Sequence, residues 1–352
     1  MESVRAKRVV FSGPAQVRLE EVDLPGPGPG QARVRGERSL ISTGTEMTAY
    51  SGDFPPGDSA WARYVRYPFP PGYSLVGTVE AVGEGCALVP GQRVAVEAPH
   101  ASFVLVDAPA AEGGGAESIH SPSGPVAVPD RVSPDEAAFH SLARIAMQGV
   151  RLAQVELGAS VAVIGCGLVG QLAMRLARLA GALRVVAVDV SERRLERALA
   201  GGADGGVRAD VADPAQAVRA RCDGRLADVV IDATGAPSSF ATAVRIVRDL
   251  GRVVLLGSPR GAVTIDLHDD VHTRGLVVVG AHASTTPRRE TAQAPWSMAR
   301  NTALFFALVA DGRLRVDDLV SHRFPLARAE EAYGLLARER EAAMGVLFDL
   351  GG

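Results

Sequence analysis

Between Val161 and Gly170 the chain reads Val-Ala-Val-Ile-Gly-Cys-Gly-Leu-Val-Gly, an apolar run that stops at a glycine and resumes as a helical pattern. Gly165, Gly167 and Gly170 have G-x-G-x-x-G spacing, and Leu168–Leu179 keeps a helical apolar period until Gly181 closes it. Gly165 permits a tight turn, Gly167 lets backbone approach a pyrophosphate, and Gly170 lets helix and strand pack closely. A helix N-terminus here offers free N–H groups and a positive dipole end to phosphates. The glycines alone are a weak signal. Flanked by a strand and a helix, and followed by Asp189, 19 residues after Gly170 at the end of the next apolar run, they predict a dinucleotide-binding unit. Leu168 and Val169 then belong to the phosphate loop, and Asp189 accepts hydrogen bonds from the adenosine ribose. That carboxylate would repel a 2′-phosphate, so the cofactor expected is NAD. Arg193 and Arg194 pull the other way, because an arginine there can meet a 2′-phosphate; they suit a solvated helix face equally. The plainer reading is a Rossmann-like fold without a dinucleotide, with Asp189 capping the helix after it.

Strands and helices alternate around this segment. The pattern predicts strands over Val161–Ile164, Arg184–Val190, Asp228–Ala233, Arg252–Leu256 and Leu276–Val279, and helices over Ser191–Ala200 and Pro237–Arg248. Apolar strands separated by amphipathic helices imply a parallel, doubly wound sheet, which binds ligands at the carboxyl ends of its strands. Three glycine turns fall at such ends: Asp232-Ala233-Thr234-Gly235, Leu256-Gly257-Ser258 and Val279-Gly280-Ala281-His282. Ala233, Thr234, Leu256, Gly257, Ser258, Gly280 and Ala281 are therefore candidate cofactor contacts, with ordinary turns as the alternative. Leu276–Val279, as the last strand, leaves an edge of unpaired backbone groups and predicts a two-fold homodimer joined through it.

The first ~125 residues read differently. Short apolar runs such as Gln31–Arg35, Gly77–Val82, Gln92–Val96 and Ser102–Val106 are separated by Gly and Pro, the mark of an all-β region. Ser133-Pro134-Asp135-Glu136 supplies a cap, a first-turn proline and two carboxylates, and predicts a helix over Pro134–Ala153. After Ser284 the alternation stops; a helix over Ser297–Ala310 and two strands flanking Leu326–Arg338 follow. Residues 1–133 with 285–352 are expected to form one domain and 134–284 the other, which suits a chain of 352 residues. A net charge of −3 gives no electrostatic footprint for nucleic acid or an anionic membrane. No apolar run reaches about 18 residues, so no bilayer span is expected, and Met1–Val10 does not read as a signal peptide. Cys86, Cys166 and Cys222 lie far apart, which fits a reducing, cytoplasmic location and rules out a four-cysteine metal lobe.

Three segments of the β-rich start carry a resemblance. Pro71-Gly72-Tyr73-Ser74-Leu75-Val76-Gly77-Thr78-Val79-Glu80-Ala81-Val82-Gly83 resembles the G-H-E-x-x-G-x-V-x-x-V-G segment of medium-chain dehydrogenases/reductases. Val89-Pro90-Gly91-Gln92-Arg93-Val94 matches their x-x-G-D-R-V run, and Ile41-Ser42-Thr43-Gly44-Thr45-Glu46 sits where they have a C-G-T-D-like run. With the central Rossmann unit and the returning tail, the similarity covers nearly the whole chain. It implies an α/β fold: a GroES-like β-rich catalytic domain plus a Rossmann cofactor domain with a doubly wound parallel sheet. The S-x-G-T-E form resembles a subgroup that includes bacteriochlorophyllide dehydrogenases and sugar-linked oxidoreductases.

In the superfamily's zinc-dependent members the metal is held by the cysteine of the C-G-T-D run, by the histidine (often with the glutamate) of the G-H-E segment, and by a residue of the helix entering the Rossmann domain. Here those positions read Thr43, Tyr73, Ser74 and His140, and one imidazole among hydroxyls does not make a catalytic zinc site. Glu97–Leu105, where a structural zinc lobe would fall, holds no cysteine. No metal is therefore expected, unless His140 with Glu46 or His100 rebuilds a site. Without zinc, side chains must handle the oxygen chemistry, or the substrate must need little polarisation, as quinones and conjugated enones do. The resemblance implies that Thr43, Tyr73 and His140 converge beside the nicotinamide. Tyr73 can donate to a carbonyl oxygen, and His140 is expected to titrate near neutral pH and pass a proton. Thr45 matches a proton-relaying hydroxyl, and Glu46 an acid set behind the site. Plainer roles compete: Tyr73 filling a vacated metal site, His140 or Thr45 bonded to backbone, Glu46 as a buried partner for an arginine. Arg144, at i+4 from His140, either meets an anionic substrate group or the nicotinamide amide, or ion-pairs elsewhere. No G-x-S-x-G elbow supports hydrolase chemistry, and Cys166 lies inside the phosphate loop. The expectation is a zinc-independent, NAD(H)-dependent oxidoreductase for secondary alcohols or ketones of polyol, sugar or cyclitol type. A reductase of quinones or conjugated double bonds using NAD(P)H, and a non-catalytic nucleotide-binding protein, stay open.

Overall fold

A computed structural model describes residues 2–108 and 124–351. By internal contacts the chain divides into two compact units, residues 1–141 with 286–352, and residues 142–285.

The second unit is a six-stranded parallel sheet. Its strands are β1 (Ser160–Ile164), β2 (Arg184–Asp189), β3 (Gly205–Arg208), β4 (Ala227–Asp232), β5 (Val247–Leu255) and β6 (Val277–Gly280). They lie in the order β3-β2-β1-β4-β5-β6. Ala162, Val186, Val188, Val230 and Val253 are fully buried, which is why these strands read as continuous apolar runs. The order reverses between β1 and β4, and ligand crevices open at such a switch point. Two elements escaped the sequence reading. β3 begins with Gly205-Gly206, and the helix Pro214–Arg221, capped by Asp213, has a weak apolar stripe. β6 forms one edge, with Val277 42% and Val278 40% exposed.

The first unit holds a seven-stranded sheet in which Val320–Pro325, Gly345–Asp349, Gln31–Leu40, Leu75–Val82, Arg93–Val96 and Val126–Ala127 are successive neighbours. Phe103–Asp107 also pairs with Gln31–Leu40. A separate hairpin joins Val4–Gly13 to Gln16–Leu24. Leu347 pairs with Leu40, so the C-terminal strand completes the sheet begun near the N-terminus. Phe11, Leu75, Tyr333 and Phe348 are at its core.

The helix expected over Pro134–Ala153 is two helices, Pro134–Ala137 and His140–Ala153. Ser133 and Glu136 form the capping box that the sequence announces. At the break, the Ala138 carbonyl accepts a hydrogen bond from Ser74 Oγ at 2.6 Å, and Ser141 Oγ donates to the Tyr73 carbonyl at 2.8 Å. These bonds tie residues 134–141 to the first unit. Among the described residues, no helix is long and apolar enough to cross a membrane.

Candidate active site

The glycine loop after β1 is crowded toward the protein and open at one position. Gly165 has φ +86°, and a Cβ there would lie 2.7 Å from Thr234 Cγ2. A Cβ on Gly170 would lie 1.9 Å from the Gly165 carbonyl oxygen, so the first turn of the helix Leu168–Ala180 packs directly on the loop. Gly167 differs: a Cβ there would meet no protein atom within 4 Å. No side chain caps the helix N-terminus at that point. Leu168 is buried and Val169 half-buried. Open space in front of uncapped N–H groups suits a pyrophosphate.

The candidate residues at the ends of β4, β5 and β6 interlock. Leu256 and Gly257 both donate their N–H to the Asp232 carbonyl at 2.8 Å, and Ala281 donates to the Leu255 carbonyl at 2.9 Å. Thr234 donates its N–H and its hydroxyl to Asp232 Oδ1. A Cβ on Gly257 would lie 2.8 Å from the Ala233 carbonyl carbon, whereas one on Gly280 would meet nothing. Ser258 is exposed beside Gly235.

Asp189 closes β2 and is only 7% exposed. Its Oδ2 accepts from the Cys166 N–H at 2.6 Å and its Oδ1 from the Ser191 N–H at 2.8 Å. The carboxylate thus braces the glycine loop and the turn into the helix Glu192–Ala200 together, and each oxygen keeps a lone pair. Arg193 is exposed; Arg194 is half-buried, its carbonyl accepting from Gln171 Nε2.

In the first unit, the turn Ile41–Glu46 and the segment Tyr73–Ser74 build a cluster of hydroxyls. The Tyr73 hydroxyl donates to Ser42 Oγ at 2.5 Å, and the Thr45 hydroxyl also bonds to the phenol. Thr43 is half-buried on the same turn. Burial is the main cause that pushes the Tyr73 phenol well above its ordinary range; the Ser42 bond works against it and the Glu46 charge adds to it. Ser141 Oγ, on the Tyr73 carbonyl, lies 3.5 Å from His140 Nδ1.

His140 corrects an expectation. It is 2% exposed, and burial pushes its imidazole down to about 4, although the Leu75 and Val96 carbonyls favour the charged form. It is therefore neutral at pH 7 rather than poised to titrate there, and its Nε2 has no hydrogen-bond partner of sound geometry. Arg144 is also buried.

Among the described residues, Glu46 pairs with no arginine. Its Oε1 accepts from the Ser42 N–H at 2.9 Å, and its Oε2 meets His100 Nε2 at 2.9 Å and the Tyr333 hydroxyl at 2.5 Å. Tyr333 had no signal in the sequence, because 287 positions separate it from Glu46.

These residues do not fit a catalytic zinc. Ser74 Oγ is committed to the Ala138 carbonyl and the Ser141 N–H, Tyr73 to Ser42, and Glu46 to His100 and Tyr333. Among the described residues, no group of three or more His, Cys, Asp or Glu side chains is placed to hold a metal ion.

A family model described as zinc-binding dehydrogenase matches residues 169–299. The L-threonine 3-dehydrogenase of Symbiobacterium thermophilum is 30% identical, over 99% of this chain and 99% of that protein. The chain belongs to the zinc-binding dehydrogenase family. Human sorbitol dehydrogenase is 28% identical over 92% of this chain and 91% of that one. The structure of an alcohol dehydrogenase from Thermus sp. ATN1 superposes with a TM-score of 0.76 at 26% identity, covering 97% of this chain and 99% of the other. The fold is that of the medium-chain alcohol dehydrogenases, a GroES-like domain with a Rossmann domain, and this dehydrogenase is an enzyme of that type.

Proposed function

We propose that this dehydrogenase works without zinc and moves hydride between NAD(H) and a secondary alcohol or ketone of polyol, sugar or cyclitol type. The observation that carries the reading is the Tyr73 hydroxyl on Ser42, with Ser141 joining the Tyr73 carbonyl to the buried, neutral His140; Tyr73 and His140 stand where the resemblance puts metal ligands. The nicotinamide supplies or accepts the hydride. Tyr73, kept protonated by burial, turns the proton it gives Ser42 toward the substrate oxygen. His140 Nε2 takes the hydroxyl proton during oxidation and returns it during reduction. Thr45 holds the phenol from a second side, and Thr43 lines the same turn. Sorbitol and L-threonine, named in the relatives, both carry secondary hydroxyls. The test is a panel of polyols, sugars, ketones and quinones with NAD(H) and NADP(H). Fastest turnover of a quinone with NADPH would replace this reading, and no cofactor-dependent turnover at all would leave a nucleotide-binding protein.

The donor set leads to a first expected result. Elemental analysis of the purified protein should find no stoichiometric zinc, and a chelator should leave turnover intact. One zinc per chain whose removal abolishes activity would overturn the metal-free reading.

Asp189 underlies the second. NAD should bind at least ~10-fold more tightly than NADP, about 1.4 kcal/mol. Asp189→Ser should erase that gap and also weaken NAD, since the same carboxylate braces the loop. Equal dissociation constants in the unmodified protein would count against NAD.

The edge strand β6, with Val277 and Val278 exposed, underlies a homodimer. Sedimentation at micromolar concentration should give twice the chain mass, and a single-chain mass would refute the pairing. The three free cysteines suit a cytoplasmic enzyme.

A further inference from the structure

The polar core of the first unit holds one side chain whose setting exceeds what packing requires. Glu46 is 1% exposed, and a buried carboxyl group is costly unless hydrogen bonds satisfy it. Its three partners are the Ser42 N–H from its own turn and two side chains from distant segments, His100 from the loop after Arg93–Val96 and Tyr333 from the helix Ala329–Arg338. His100 and Tyr333 are completely buried. His100 is itself held, because Ser39 Oγ lies 2.7 Å from its Nδ1. With the Ser39 hydroxyl donating to Nδ1, the imidazole presents Nε2–H to Glu46, and Ser39, His100, Glu46 and Tyr333 each have a partner. Tyr333 cannot turn aside either, since its ring is wedged between Phe11 at 4.8 Å and Tyr50 at 5.8 Å.

This anchored carboxyl group ends on Ser42, whose hydroxyl meets Tyr73. We propose that His100 and Tyr333 are positioning residues for Tyr73: they fix Glu46, Glu46 fixes the Ser42 backbone, and Ser42 Oγ sets the direction of the phenol. A phenol has one proton to give. Here it goes to Ser42 Oγ at 2.5 Å, so the position of Ser42 sets the direction from which that proton turns to a substrate oxygen; if Ser42 drifts, the proton loses its aim. The catalytic consequence rests on the role of Tyr73 proposed above, whereas the coupling itself does not.

The test uses the full chain with tyrosine labelled with carbon-13 at Cζ, whose shift responds to hydrogen bonding at the hydroxyl. The five tyrosines give five signals, and Tyr73→Phe assigns the one in question. Tyr333→Phe removes one oxygen and keeps the ring. His100→Ala removes the donor, and His100→Gln restores an N–H near the same place. The Tyr73 signal should move in Tyr333→Phe and His100→Ala and return in His100→Gln. Tyr67, bonded to the Ala49 carbonyl of the same helix as Glu46, should stay put. A Tyr73 signal indifferent to both substitutions, or one that moves only together with Tyr67, would overturn the proposal. On the polyol turned over fastest with NAD, Tyr333→Phe should lower kcat about tenfold with NAD affinity unchanged, the scale of a misplaced group. If Tyr73→Phe is silent there while the signals still respond, the catalytic role of Tyr73 fails and the coupling stands.

Discussion

Tyr73→Phe and His140→Ala should each lower kcat by ~10²-fold or more, the usual contribution of general acid–base catalysis, while NAD affinity barely moves. The first change removes one hydroxyl and keeps the ring that fills the site. If Tyr73 only plugs a vacated metal position, Tyr73→Phe will be nearly silent and Tyr73→Ala will lower thermal stability instead. His140 adds a pH signature. Burial holds it down to about 4, against an ordinary value of 6.5, so it stays neutral through the physiological range. The acid limb of kcat/KM should therefore fall near pH 4 rather than near 6.5, and a limb near 6.5 would show that this imidazole is not the base. Stability follows the same sign. In the unfolded chain His140 binds its proton below about pH 6.5, and in the folded protein only near 4, so its contribution is complete above 6.5 and is lost as pH falls toward 4. His140→Ala should flatten that part of the stability profile.

What the sequence reveals here depends on how local the physics is. The loop from Gly165 to Gly170 is a matter of six consecutive residues: a positive φ at Gly165, an open face at Gly167 and a close approach at Gly170. Period and punctuation suffice to find it, and Asp189 follows from the length of one strand–helix–strand step. The helix break at Ala138 is not local. It depends on Ser74, 64 positions earlier, which takes up the Ala138 carbonyl. Glu46 shows the same limit more sharply. Its chemistry announces a buried acid, but its partners are His100 and Tyr333, 54 and 287 positions away, and no spacing rule connects them. For His140 the residue type suggests titration near neutrality, and only the surrounding protein reverses it.

The glycine loop yields the other large effect, and there two adjacent-looking substitutions should part ways. A methyl on Gly170 would lie 1.9 Å from the Gly165 carbonyl oxygen, a distance real Cβ atoms do not reach, and the obstacle is backbone that cannot swing aside. The helix Leu168–Ala180 must back away from β1, and overpacking of this kind costs typically ~1–3 kcal/mol. Gly170→Ala should lower Tm and weaken NAD together, because the N–H groups facing the phosphates move with the helix. Gly167→Ala meets no protein atom within 4 Å, and its φ of −69° and ψ of −172° suit any residue. Tm should be unchanged. NAD affinity should still fall by ~10²-fold, because the methyl stands where the pyrophosphate must approach the backbone. Calorimetric titration with NAD beside thermal unfolding separates the two. If Gly167→Ala binds NAD as tightly as the unmodified protein, this loop does not cradle a dinucleotide, however well it forms the fold.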